Sequence, residues 1–289
     1  MSFYSYQKKW AVLDSFKVKS IACLCMTVDH IVAFSDNDLG KKYYILFRAI
    51  GRIAAPLFLF ILVQTICHTR SRLNLLKRLY FAGVMVGLSD TIFNLLLKDV
   101  VGVYDFGNIL FTYFYVAFYI VLIEKTIFAF KENNIYVCMK YAGLGALSLL
   151  PCMVYRIIDQ TVPAGISIQQ RILVKGVRDS LLPAVDRVEY GGGFIVLGIL
   201  FYFVKEKYWQ VLVYFIFCFV CICGALMSIS NPNIYVGSSF ASLYFNPMQS
   251  WMILALPIML MFNNQEGKKV KKFFYWYYPI HRYLIIIFF

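Results

Sequence analysis

Met26–Ile31 reads M-T-V-D-H-I, and after a short polar loop with Asp36 and Asp38, Arg48–Phe58 reads R-A-I-G-R-I-A-A-P-L-F. These strings place Asp29, His30, Arg48 and Arg52 inside two long apolar segments. Ionisable side chains in hydrocarbon are expensive, so residues of this kind are functional candidates by default. The segments that carry them decide the fold. Their apolar runs extend for about 15 to 20 residues or more, the length of a membrane-crossing helix, without the short alternating pattern of a membrane barrel.

Composition points the same way along the rest of the chain. Of 289 residues, 61% are hydrophobic and 18% aromatic, and the mean hydropathy is +0.69. A soluble domain has nowhere to bury that much apolar surface, so the chain reads as an all-α, polytopic helical membrane protein. The net charge of +13 would suggest nucleic acid in a soluble protein. Here it is largely absorbed by the Lys and Arg excess expected of cytoplasmic loops, and no nucleic-acid partner is expected. All eight cysteines fall in or at the ends of apolar segments without metal-ligand spacing. They read as small core hydrophobes, and no metal is expected. Met1–Ser20 carries Lys8, Lys9, Asp14, Lys17 and Lys19 without a cleavage site, so the first span reads as an uncleaved anchor.

Apolar runs predict about nine spans, at 17–35, 44–67, 78–97, 108–129, 136–156, 190–204, 208–229, 247–262 and 273–289. With the N-terminus cytoplasmic and the C-terminus outside, basic residues are biased roughly two to one toward the inner loops. That reading makes 1–289 one transmembrane domain in the lipid bilayer of the cell membrane. Arg48, Arg52, Lys125 and Arg282 remain within spans. In the third span, Gly83 and Gly87 are four apart and precede Asp90, which predicts close helix approach with Asp90 turned inward. Glu124 beside Lys125 reads as a paired or snorkelling surface group. The outer segment 157–189 is too polar to span. As a helix it gathers Leu173, Val174, Val177 and Leu181 on one side, which fits either an interfacial lid or a plain covering loop. Gly191–Gly193 opens a short span, Asn246 and Pro247 are placed to start the eighth, and Pro257 is placed to kink it.

Depth tests whether the polar groups meet. At 1.5 Å per residue, His30 lies about 20 Å along an outward-running first span. Arg52 lies about 12 Å below the outer face of a core about 30 Å thick, so the two share a depth. Arg48 and Arg52 are one turn apart and form a double guanidinium comb, for which Asp29, Asp36 and Asp90 are the available carboxylates. A buried Asp–Arg pairing that merely holds spans together is the plain reading. A site is the other, because His30 can act as a base near neutral pH and His281 is within reach of the same cavity.

M-T-V-D-H-I, then R-A-I-G-R-I-A-A-P-L-F-L-F with the following H-T-R-S-R, and F-Y-W-Y-Y-P-I-H near the end together resemble the TraX family. That family is linked to N-terminal acetylation of pilin and is similar to a wider set of membrane acyltransferases. The resemblance implies an acetyl-CoA donor used from the cytoplasmic side. It implies an acceptor hydroxyl or amine on a cell-surface or secreted molecule, either a pilin-like peptide N-terminus or a glycan. It places Asp29 and His30 in the D-H motif, with Asp29 orienting His30 as base. It also carries over to Arg48 and Arg52 from R-x-x-G-R and to His281 from Y-P-x-H. An acetyltransferase reading then makes the arginines oxyanion or donor-phosphate ligands and His281 a second acid/base or donor-binding group, and the helix-packing reading adds Asp90 beside them. Arg70, Arg72, Lys77 and Arg78 become candidate contacts for the CoA phosphates, against their plain reading as positive-inside charge. A transporter for an anionic solute, with the arginines as its binding site, and a scaffold without chemistry are the rival classes.

Overall fold

Caps and charges set the helix boundaries in this computed structural model, which describes residues 10–34, 38–104, 106–161, 165–231, 233–234 and 239–288. The described residues are helical apart from connections and a single bridge between Leu13 and Phe262. Five helices are long and apolar enough to cross a membrane: Tyr43–His68, Arg72–Val101, Ile109–Lys131, Ile135–Thr161 and Lys207–Ser230. The expected first and last spans are also long helices, Ser15–Phe34 and Lys271–Phe288. They differ in carrying charge: Lys17, Lys19 and Asp29 in one, Lys271, Lys272 and Arg282 in the other. Gly191–Val204 and Pro247–Leu260 are apolar but shorter. Contacts divide the chain into two units, residues 1–68 with 200–289, and residues 69–199.

The first unit is built on α1 (Ser15–Phe34), α2 (Asp38–Gly51) and α3 (Ala54–His68). Asp14 Oδ1 accepts the Lys17 amide at 2.8 Å and so caps α1. The predicted span 44–67 is one helical run with a tightened turn at Arg52–Ile53, where the Ile53 amide reaches back to Ile50. α9 (Gly191–Val204) ends in this unit, which continues with α10 (Lys207–Ser230) and α11 (Ser239–Phe245). A 3-10 helix, Pro247–Ala255, leads into α12 (Leu256–Leu260), and α13 (Lys271–Phe288) closes the chain. Asn246 does cap the eighth segment, its Oδ1 accepting the Met248 amide at 3.0 Å. The expected kinked α-helix at Pro257 is instead nine residues of 3-10 helix before a short α-helix. Runs of 3-10 helix longer than three or four residues are uncommon and shorten the sequence repeat relative to an α-helix.

Buried polar ties join these elements. Gln64 donates to Gln210 at 2.9 Å, Gln210 donates to the Phe201 carbonyl at 2.6 Å, and Tyr214 donates to the Met252 carbonyl at 2.6 Å. Lys207 Nζ caps the end of α12 through the carbonyls of Leu260 and Phe262. Phe60 packs edge-on against Phe201 and Phe262. Cys23, Cys218 and Cys221 are buried among such side chains, as small hydrophobes are.

The second unit contains α4 (Arg72–Val101), α5 (Ile109–Lys131), α6 (Ile135–Leu147), α7 (Leu150–Thr161) and α8 (Ile168–Leu181). Small residues let its helices close up, as expected of the Gly83 and Gly87 pair. A side chain at Gly83 would overlap Phe111, one at Gly87 would overlap Ser180, and one at Gly176 would overlap Thr91. α8 begins at a capping box in which Ser167 and Gln170 satisfy each other's backbone. The side that packs on protein is not its apolar side. Leu173, Val174 and Leu181 are exposed, while Ile172, Gly176 and Ser180 form the seam toward α4. Close backbone approach outweighs side-chain hydrophobicity at that contact.

The irregular backbone after α8 is held by hydroxyl donors. Tyr80 donates to Leu181, Tyr115 to Pro183, Thr112 to Glu189, and Tyr155 to both Arg178 and Leu182. Asp159 pairs with Arg178 and Arg187, and both guanidiniums sit over the Tyr155 ring. Carbonyls outside regular helix need donors wherever water is scarce, and these side chains supply them. The segment 157–189 is therefore tied down at the C-terminal end of α8 and in the residues that follow it. Glu124 does pair, with Arg72 at 3.5 Å.

Candidate active site

Asp29 stands on α1 where α2 ends against it, and Gly51 is what lets the two backbones meet. A Cβ at Gly51 would overlap the Asp29 side chain. Arg48, in the last turn of α2, places Nη1 2.9 Å from Asp29 Oδ2. Arg52, in the turn that follows, places Nη2 3.1 Å from Oδ2 and 3.3 Å from Oδ1. The comb expected from the one-turn spacing is thus present, and the carboxylate it grips is Asp29. The two arginines are not equivalent. Arg52 and Asp29 side chains are each 10% exposed, whereas Arg48 is 22% exposed. Arg48 Nε is buried without a hydrogen-bond partner among the described residues, a feature it shares with the Nε of Arg52.

His30 does not use Asp29 as its orienting group, which corrects the expected Asp29–His30 pairing. Successive residues on a helix project in different directions, and the His30 ring goes to α13 instead. His30 Nδ1 lies 2.8 Å from His281 Nε2, and His281 Nδ1 lies 2.7 Å from the Tyr277 carbonyl oxygen. The rings of His30 and His281 are 7° from parallel with centroids 4.9 Å apart. With nitrogens in hydrogen-bond contact, that separation means two rings joined edge to edge in nearly one plane. The Tyr277 hydroxyl hydrogen-bonds to Thr27 on α1, and Phe274 packs edge-on against Phe16. These contacts occur in the same order along both helices.

Arg282 follows His281 and is 2% exposed, with its guanidinium beside the Tyr278 and Tyr283 rings at 4.8 and 5.5 Å. Sequence reasoning left it as an unexplained charge in a span. Its position next to the histidine of Y-P-I-H-R was the available signal. Gly51, Thr27 and Tyr277 were missed as well. All three stand in the quoted motifs, but only the G of R-A-I-G-R offered a separable clue, because a helical glycine between two buried arginines implies close approach.

The other expected site residues belong to the second unit. Asp90 is buried in the second unit, one residue before the Thr91–Gly176 contact. Arg70, Lys77 and Arg78 are exposed around the start of α4, and Arg72 is engaged with Glu124. His68 Nδ1 donates to the Gln64 carbonyl at 2.8 Å, which ends α3 on itself. Asp36 lies outside the described residues.

Chemically, the cluster offers an imidazole held by a second imidazole, beside a carboxylate already neutralised by two guanidiniums and with a third guanidinium following His281. Such a site can move a proton and hold negative charge. The TraX protein family model matches residues 15–288. A relative in Dichelobacter nodosus, described as "Probable fimbrial assembly protein FimC, serogroup H1", is 36% identical over 72 residues, 25% of this chain and 29% of that protein. The chain therefore aligns with well under two thirds of that relative's length. No solved structure matches it. Since the family model runs through all of the helices that build the site, the chain belongs to the TraX family.

Proposed function

We propose that the protein is a multi-pass membrane acetyltransferase that moves an acetyl group from acetyl-CoA to an amine or hydroxyl of a cell-surface or secreted acceptor. The observation that carries this reading is the His30–His281 pair on α1 and α13, set beside Arg48 with its unsatisfied buried Nε. A base and a hydrogen-bond donor for an oxyanion are what acyl transfer needs. Family membership and the fimbrial relative favour a pilin-like peptide N-terminus over a glycan as acceptor.

In the proposed step His30 takes a proton from the acceptor nitrogen or oxygen as its lone pair attacks the thioester carbonyl carbon. The negative charge gathers on the carbonyl oxygen, where Arg48 donates. The C–S bond then breaks with its electron pair going to the CoA sulfur, which receives the proton back from His30. The products are the acetylated acceptor and CoA thiol. Arg52 keeps Asp29 and the turn after α2 in place. Arg70, Lys77 and Arg78 remain candidates for the CoA phosphates, and no step is assigned to Asp90. The nine-span arrangement with its N-terminus inside belongs to the same proposal; the matching order of the contacts makes α1 and α13 parallel, as any odd number of spans requires.

Purified protein given radiolabelled acetyl-CoA and a pilin-like N-terminal peptide is expected to label the peptide. His30→Ala should reduce transfer by about 10²- to 10⁴-fold, the usual worth of a general base. Equal inactivity of wild type and His30→Ala, with uptake of an anionic solute into vesicles retained by both, would establish the transporter class instead.

A further inference from the structure

The hydrogen bonds of the histidine pair fix where its protons sit, and with them the division of work between the two rings. The Tyr277 carbonyl can only accept, so the 2.7 Å contact requires a hydrogen on His281 Nδ1. In a neutral His281 the other nitrogen, Nε2, then carries a lone pair. That lone pair faces His30 Nδ1 at 2.8 Å, so His30 Nδ1 must supply the hydrogen. The remaining nitrogen, His30 Nε2, is left as a bare lone pair with no hydrogen-bond partner among the described residues.

From this chain we infer that His281 is a positioning residue. It locks His30 into the Nδ1–H tautomer and makes Nε2 of His30 the atom that exchanges protons with substrate. The inference deepens the acetyltransferase reading and rests on it for the substrate, but the tautomers themselves do not depend on that reading. Tautomer control of this kind has large consequences elsewhere, because a ring with its hydrogen on the wrong nitrogen presents no lone pair to the reacting group.

The surroundings make the lock rigid. Tyr277 lies parallel to His281, with centroids 4.9 Å apart, and its hydroxyl is tied to Thr27 on the helix that carries His30. One residue thus supplies both the carbonyl that sets His281 and the bond that holds α13 against α1. Pro279 falls between Tyr277 and His281. Lacking an N–H, it interrupts the helical ladder in the turn where the His281 side chain folds back onto a backbone carbonyl.

The chain has three histidines, so the test can be read directly. Purified protein carrying His68→Gln and labelled with ¹⁵N-histidine should show, in long-range proton–nitrogen correlation spectra at neutral pH, both remaining rings as Nδ1–H tautomers. Free histidine side chains favour the other form. An Nε2–H signal for His30 would overturn the inference whether or not the protein transfers acetyl groups. It is also what a protonated His281 donating to His30 would give.

Activity supplies the second arm. His281→Gln places an amide oxygen near the position of Nε2 and should keep transfer within about tenfold of wild type, whereas His281→Leu should lower kcat by about 10²- to 10⁴-fold with KM little changed. Equal loss in both variants, with both folded by thermal unfolding, would also overturn the positioning role. Tautomers as stated in a protein that transfers nothing would leave the pair intact and sink the acetyltransferase reading instead.

Discussion

Removing the Asp29 carboxylate should loosen the first unit far more than a single surface charge would. Three nitrogen–oxygen contacts of 2.9, 3.1 and 3.3 Å join it to two guanidiniums. The Arg52 and Asp29 side chains are only 10% exposed, so the cost of breaking a buried pair applies, about 3–5 kcal/mol. Arg48 is more exposed and recovers part of its solvation, which places Asp29→Ala near the middle of that range, about 4 kcal/mol. Arg52→Leu should cost about 3 kcal/mol because it leaves Asp29 with Arg48 still in place. The double variant should cost little more than Asp29→Ala alone, giving a coupling of roughly 2–3 kcal/mol. A suitable assay is the rate at which the buried thiols of Cys23, Cys218 and Cys221 become alkylated in detergent-solubilised protein. A 3 kcal/mol loss would accelerate opening by roughly 10²-fold. Additive single and double variants would mean that Asp29 and Arg52 do not stabilise each other, and the paired geometry would lose its energetic meaning.

Gly51→Ala should lower the thermal midpoint, because overpacking against Asp29 costs about 1–3 kcal/mol and outweighs the helix-propensity gain. Gly143→Ala, where a Cβ meets nothing within 4 Å, should leave the midpoint unchanged or raise it; a reversed order would refute the close approach. Arg48→Lys should reduce transfer from labelled acetyl-CoA more than it reduces stability, and Arg52→Lys should do the opposite, since a lysine replaces a point charge but not the planar fork. Gly176→Val should detach α8 from Thr91, seen as faster hydrogen exchange across residues 168–181, while Leu173→Ala on the exposed side should change exchange little.

The helical membrane class and the meeting of Asp29 with Arg48 and Arg52 were legible because they rest on apolar length and the one-turn spacing of arginines. Depth along the helix placed His281 below His30, within reach of a central cavity, and did not by itself pair the two rings. The orientation of the His30 ring was not legible. Two adjacent polar residues on a helix look like partners in a sequence, yet the helical repeat turns them apart, and the true partner was 251 residues away. The protein-facing side of α8 was not legible either. Its seam follows Gly176 and Ser180, where small size permits contact with α4, while periodicity counts only apolar side chains. The 3-10 segment at Pro247–Ala255 escaped because its residues carry no local signature distinguishing it from an α-helix with a kink.

The choice of a neutral histidine to position His30 follows from the charge balance around it. A carboxylate in that role would itself stabilise a protonated base, but it would add negative charge where the proposed acyl transfer must also accommodate a developing oxyanion. Asp29 cannot do both tasks, since its oxygens are taken by Arg48 and Arg52. With His281 in the orienting position, the base is fixed by a dipole and a backbone carbonyl alone. Arg48 keeps its unsatisfied Nε, and Arg282 follows directly on α13, so the net charge of the titratable cluster stays positive. In a low-dielectric interior that preference is amplified. The carboxylate of the D-H motif is held by the arginines rather than shared with its neighbour, and so it keeps two positive groups together beside the histidine pair.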